Sequence, residues 1–175
     1  SASMMNKGLE VIETKWLFGI EIPVEIVVHP QSVIHSMVEF KDTSVMAQLG
    51  IPDMRIPISY ALSYPDRLDV ELPSLDFVRL GQMNFETPDT EKFPCIKLAM
   101  EALASGETMP AVLNAANEIA IEGFLKGQIP FKEIAEIIST TMEHHNKLPI
   151  RELEDVLIAD NWAREEALRL LSVVI

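Results

Sequence analysis

Between residues 93 and 172 apolar side chains return every three to four positions, and proline and glycine cut the run into four pieces. No other feature limits the fold as much. Apolar residues at i, i+3, i+4 and i+7 give a helix one wet and one dry face, and helices joined by short turns bury their dry faces on one another. The expected helices cover 94–104, 110–126, 130–147 and 151–172. Gly106 and the turns "KGQIP" and "NKLPI" supply the stops, while Pro110 and Pro130 stand where a first-turn proline is tolerated. In "PAVLNAANEIAIEGFL", Val112, Leu113, Ala116, Ile119, Ala120 and Phe124 form one apolar face. The pattern predicts a four-helix bundle over 93–175.

Upstream the period changes. "EIPVEIVVHP", "SVIHSMVEF" and "TSVMAQLG" are β-branched, partly alternating runs, read as two or three short strands with a hairpin turn at 41–43. A helix is expected over 53–63, with Asp53 as a possible cap and Pro65 as the stop. The segment 64–93 holds three prolines, one glycine and no sustained period. It reads as a linker with one strand at 77–85, because long structureless loops inside one compact unit are uncommon. The fold class is therefore α+β, divided as 1–66, a linker at 67–92, and a helical domain at 93–175.

With 27 acidic against 14 basic residues, the formal charge of −13 opposes a nonspecific hold on nucleic acid or on an anionic membrane. An anionic small molecule is still possible, since a site needs only a few local donors. The single cysteine, Cys95, can form no internal disulfide and reads as a packed thiol at a helix start. No apolar run reaches the ~18 residues of a membrane helix and no leader pattern is present, so the expected location is the cytosol or an organelle stroma. The chain opens without Met, which reads as truncation.

The opening "SASMMNKGLEVIETKWLFG" reads as a helix over 4–18, with Ser3 as N-cap and Gly19 as stop. Asn6, Lys7 and Glu10 interrupt its apolar pattern and, at about 100° per residue, point into one sector. Two readings stay open: an exposed Lys7–Glu10 surface pair, or a site where Asn and Lys hold an anionic oxygen and Glu binds a hard divalent cation. His29 and His35 are six apart across a proline and match no metal-pair spacing; hydrogen-bonded structural roles are expected. His144 and His145 point about 100° apart and read as a solvated face. There is no Gly-rich phosphate loop, no dinucleotide fingerprint and no Ser-His-Asp order. A complete enzyme site cannot be assembled from these residues.

Taken together, "SASMMNKGLEVIE", "VVHPQSVIHSMVEF", "SVMAQLGIPDMRIPI", "FPCIKLAMEAL" and "LNAANEIAI" resemble, in order, the C-terminal half of the 1-deoxy-D-xylulose 5-phosphate reductoisomerase family of the non-mevalonate isoprenoid pathway. The resemblance implies that residues 1–66 are the second part of a metal- and substrate-binding α/β catalytic domain. It implies an NADPH- and Mg²⁺- or Mn²⁺-dependent conversion of 1-deoxy-D-xylulose 5-phosphate to 2-C-methyl-D-erythritol 4-phosphate. Glu10 matches the family's third metal carboxylate and a substrate contact, and Ser1, Asn6 and Lys7 match groups around the substrate phosphate. Pro52 and Met54 match a wall beside the nicotinamide, and His35 lies near the family's site; where Ser3 stands, the family often has Thr. The half that carries the NADPH domain and two further metal ligands has no counterpart here, so this chain alone is expected to be inactive and its parent a homodimer. A noncatalytic helical module for oligomerisation or partner binding is the competing expectation.

Overall fold

The computed structural model describes residues 2–19 and 21–174. In chain order the elements are α1 (Met5–Phe18), β1 (Ile34–Glu39), β2 (Val45–Leu49), α2 (Arg55–Ser63), α3 (Phe77–Leu80), α4 (Pro94–Ser105), α5 (Met109–Leu125), α6 (Glu133–His144) and α7 (Leu153–Val174). Contacts divide them into two compact units. One joins the residues up to Ile26 with those from Asp89 onward; the other is Val27–Pro88. Among the described residues no helix is long and apolar enough to cross a membrane.

The helical unit forms as its pattern predicts. Pro94 and Pro110 sit in the first turns of α4 and α5, where a missing N–H costs nothing. Gly106 closes α4 with φ 68° and donates its N–H to the Ala102 carbonyl at 3.0 Å, a conformation that a Cβ would oppose. Val112, Leu113, Ala116, Ile119 and Ala120 are buried, but Phe124 is 37% exposed and stands edge-on to Phe131. Its place on the buried face is taken by Gly123, where an added Cβ would come within 2.6 Å of Leu171 on α7. Alanines at 99, 102, 115, 116, 120, 163 and 167 are buried and let the helices approach closely around Leu113 and Ile138.

Two boundaries differ from the pattern. α6 begins at Glu133, after a turn in which Glu133 N–H reaches the Pro130 carbonyl at 3.1 Å, and it stops at His144. The next residues are extended because tertiary bonds claim them. Leu148 N–H donates to Thr108 Oγ1 at 3.1 Å, and the Lys147 ammonium donates to the Ser105 carbonyl at 3.1 Å. His145 is not a solvated face: it meets Thr108 at 2.8 Å and packs at 4.8 Å against the Trp162 ring. His144 pairs with Glu166 at 2.6 Å.

α1 packs on α4 within this unit, through Met5, Gly8 and Ile12. The expected Ser3 cap is absent as such. Met4 precedes the helix with φ 58°, and Ser3 Oγ accepts only a long 3.4 Å bond from Met5 N–H.

In the unit Val27–Pro88, β1 and β2 pair as an antiparallel hairpin, Met37 opposite Ala47, with an irregularity between Ile34 and Ser36. Its turn is shaped by Asp42, whose carboxylate accepts the Ser44 N–H at 3.0 Å. No strand forms over 77–85. Asp76 Oδ1 caps the single turn of α3 by accepting the Arg79 N–H at 3.0 Å, and Gly81 ends it. Beyond Gly81 the chain runs back along the start of the unit, through the Val28–Glu86 bridge and an Asn84 N–H donated to Gln31 at 3.1 Å. Residues 84–86 of the expected linker are thus held against residues 28–31.

Candidate functional site: one polar face of the first helix

A helix of 3.6 residues per turn turns Met5, Gly8 and Ile12 to one side and Asn6, Lys7 and Glu10 to the other. The first side is buried on α4, so the second is left exposed. Lys7 Nζ lies 3.0 and 2.8 Å from the two Glu10 oxygens, and their side chains are 50% and 54% exposed. An exposed pair at this spacing contributes only about 0.2–0.5 kcal/mol, so a ligand with stronger charge would displace it readily. Asn6 lies exposed on the same face. Ser1 falls outside the described residues.

The other named residues sit elsewhere. His35 Nε2 donates to the Gly50 carbonyl at 3.2 Å, tying β1 to the end of β2. His29 Nδ1 donates to the Asn84 carbonyl at 2.8 Å and stacks on Phe85 at 5.0 Å. Met54, 69% exposed, precedes α2. Beside it Asp53 accepts from Arg55 through its guanidinium and backbone N–H, which hold the carboxyl down at about 2. His35 and Met54 belong to the unit Val27–Pro88, not to the helical unit that carries α1. Cys95 is buried on α4, and burial pushes its thiol pKa up, the reverse of what a nucleophile needs.

Glu10 suits a hard cation because it is an accessible oxygen donor with no sulfur or imidazole beside it. Mg²⁺ is commonly held by one or two carboxylates with water and substrate oxygens filling the other positions. Among the described residues no group of three or more His, Cys, Asp or Glu side chains could hold a metal. A cavity of about 630 Å³ between α4 and α6 is lined by Ser3, Phe93, Cys95, Lys97, Lys132 and Ser139 among others, and Asn6, Lys7 and Glu10 are not part of its lining.

Sequence reasoning missed Gly8. A signal was available: glycine inside a helix costs about 1 kcal/mol relative to alanine, so its presence on the packed face asks for a steric reason.

These features define an α+β chain that ends in a bundle of helices and carries a polar face on its first helix. Among known families, residues 49–166 match the model described as the DXP reductoisomerase C-terminal domain. The 1-deoxy-D-xylulose 5-phosphate reductoisomerase of Nitrosomonas eutropha is 60% identical over 168 residues, 95% of this chain and 41% of its own length. That of Pelotomaculum thermopropionicum is 54% identical over 172 residues, 98% of this chain and 44% of its own. Among solved structures, the reductoisomerase from Zymomonas mobilis in complex with NADPH superposes with a TM-score of 0.88 at 52% identity, over 97% of this chain and 45% of that one. A reductoisomerase in complex with NADPH, fosmidomycin and magnesium gives 0.86 at 40% identity, over 98% of this chain and 45% of that one. The chain belongs to the DXP reductoisomerase family. It spans less than half the length of these relatives.

Proposed function

We propose that these residues are the C-terminal part of an NADPH-dependent, Mg²⁺- or Mn²⁺-dependent enzyme that converts 1-deoxy-D-xylulose 5-phosphate to 2-C-methyl-D-erythritol 4-phosphate. By role, 1–66 belong to the metal- and substrate-binding domain, 67–92 to a link and 93–175 to the helical domain. Glu10 would hold the divalent cation together with carboxylates that this chain does not contain. Lys7 and Asn6, with Ser1, would grip the phosphate and neighbouring hydroxyls. When bound, the cation supplies Lewis-acid polarisation and the nicotinamide a hydride. The chain's own residues bind and orient: Lys7 adds a charge-assisted hydrogen bond to the phosphate, and that remote anchor positions the reacting carbons.

The observation that carries this reading is the Asn6–Lys7–Glu10 face in a chain 60% identical to a reductoisomerase. Lys7 and Glu10 neutralise each other at 2.8 Å and separate at little cost, so the ammonium is free for the phosphate when the carboxylate turns to the cation. The reading also carries a homodimer for the full-length protein and a place in the cytoplasm or a plastid-type stroma. The isolated 175-residue chain is inactive on this reading, and turnover by it would contradict that part. In the full-length protein, Glu10→Gln is expected to abolish metal-dependent turnover and weaken Mn²⁺ binding. A fully active Glu10→Gln enzyme would reduce α1 to the solvated face of a helical module.

A further inference from the structure

The helix that bears the polar face rests on α4 at a point where no side chain intervenes. A Cβ built on Gly8 would lie 2.4 Å from the Cβ of Ala99, 3.5 Å from the Cys95 carbonyl oxygen and 3.8 Å from the Ile96 Cα. Ala99, Cys95 and Ile96 are themselves buried, and Met5 and Ile12 cover the contact on either side. Carbon atoms prefer about 3.5–4.0 Å, so a methyl at position 8 needs about 1 Å of separation that packing does not supply. The opposing atom is a Cβ fixed to its own backbone. No rotamer change can move it; one helix must lift off the other.

We infer that Gly8 is a positioning residue: its contact with Ala99 sets how far α1 stands from the bundle and thereby fixes the location of Asn6, Lys7 and Glu10 on the opposite side of the same helix. The inference rests on the metal and substrate roles proposed for those three residues. It adds a function for the bundle, which serves as the rigid seat of the binding helix. A rigid helix transmits the displacement, because α1 is continuous from Met5 to Phe18. Misplacing binding groups by about 1 Å can cost on the order of 100-fold in rate.

The test uses the full-length protein and two readouts, Mn²⁺ affinity by EPR titration and the KM–kcat split for the sugar phosphate. Gly8→Ala is expected to weaken Mn²⁺ binding and lower kcat/KM by about 10- to 100-fold. Ala99→Gly alone opens the contact without pushing the helices apart and is measured as the reference background for the double variant. The double variant Gly8→Ala/Ala99→Gly removes the opposing Cβ and is expected to recover both readouts to within about twofold, the scatter of additive effects. Ala99→Val crowds the same contact from the bundle side and provides the comparison if Gly8→Ala does not fold; it is expected to lose Mn²⁺ affinity while its far-UV circular dichroism stays native. Wild-type affinity in folded Gly8→Ala or Ala99→Val, or a double variant that folds without recovering, overturns the inference. Glu10→Gln, measured alongside, separates the metal role from the positioning role. If it too keeps wild-type Mn²⁺ affinity, the metal role itself has failed; if it alone loses the metal, only the positioning has.

Discussion

Thr108→Val should destabilise the helical unit more than its size suggests. Thr108 is fully buried just ahead of α5, and its hydroxyl joins two segments distant in sequence. Oγ1 accepts the Leu148 N–H at 3.1 Å and lies 2.8 Å from His145 Nε2. The oxygen accepts from Leu148, and one proton between Oγ1 and Nε2 completes the bridge whichever of the two atoms carries it. Valine keeps the shape and leaves both partners unmatched. A buried group left unpaired costs about 1–3 kcal/mol; water can reach the half-exposed segment after His145, which places the expected total near 2 kcal/mol. With an m value of about 2 kcal/mol/M in urea, the unfolding midpoint should fall by about 1 M. Equilibrium urea denaturation at pH 8, followed by circular dichroism, reads this directly, with Thr108→Ser as the variant that keeps the hydroxyl. A Thr108→Val stability within about 0.5 kcal/mol of wild type would overturn this account, because that is the scatter of inconsequential surface changes. The same site predicts a pH dependence. Burial holds the His145 pKa below its ordinary 6.5, so the unfolded chain takes up the proton first. The stability from neutral His145 is complete above pH 6.5, declines as the pH falls through that value toward the folded pKa, and is gone below it. His145→Gln should flatten the slope just below pH 6.5.

Other variants probe the contacts between helices. The guanidinium of Arg169, aided by His144, holds Glu166 down at about 2, so its contribution is present above pH 4.5 and is lost as the pH falls from 4.5 to about 2. Glu166→Gln should therefore lower the melting temperature at pH 7 and converge with wild type in calorimetry near pH 2; a gap that persists in acid would contradict the assignment. Gly123→Ala places a methyl 2.6 Å from Leu171 Cδ2, the free end of a flexible side chain. A cost of about 1–3 kcal/mol is expected, smaller in a Leu171→Ala background, and a double-mutant cycle without coupling would show that the crowding is relieved elsewhere.

Much of the helical unit is legible in the sequence because its information is periodic. Proline and glycine mark the ends of α4 and α5, and the apolar stripe marks the buried side of each helix. The departures fall where tertiary contacts outweigh local preference. Nothing near His145 in sequence announces that Thr108, 37 residues earlier, will claim its ring, so the histidine reads as solvated. Phe124 belongs to the apolar stripe by spacing, yet it lies at the stripe's edge and turns to the Phe131 ring, while Gly123 takes the close approach of α7. At 77–85 one strand is expected, but Asp76 followed by Arg79 and Gly81 holds the start and stop of one helical turn, and those local hydrogen bonds win.

The polar face of α1 is legible in composition and illegible in purpose for one physical reason. Asn6, Lys7 and Glu10 satisfy the spacing of a surface pair and of half a binding site equally well, since both require exposure on one helical sector. On the binding reading proposed above, the opposite side of the helix has a part as well. A surface helix tolerates alanine at nearly every packed position and gains stability from it. Gly8 gives up that gain at a place where its φ is ordinary and no turn requires it, and the only benefit the geometry returns is proximity, a contact that would put a Cβ 2.4 Å from Ala99. On that reading the proximity fixes the place of an exposed carboxylate that must meet ligands from elsewhere within a few tenths of an ångström.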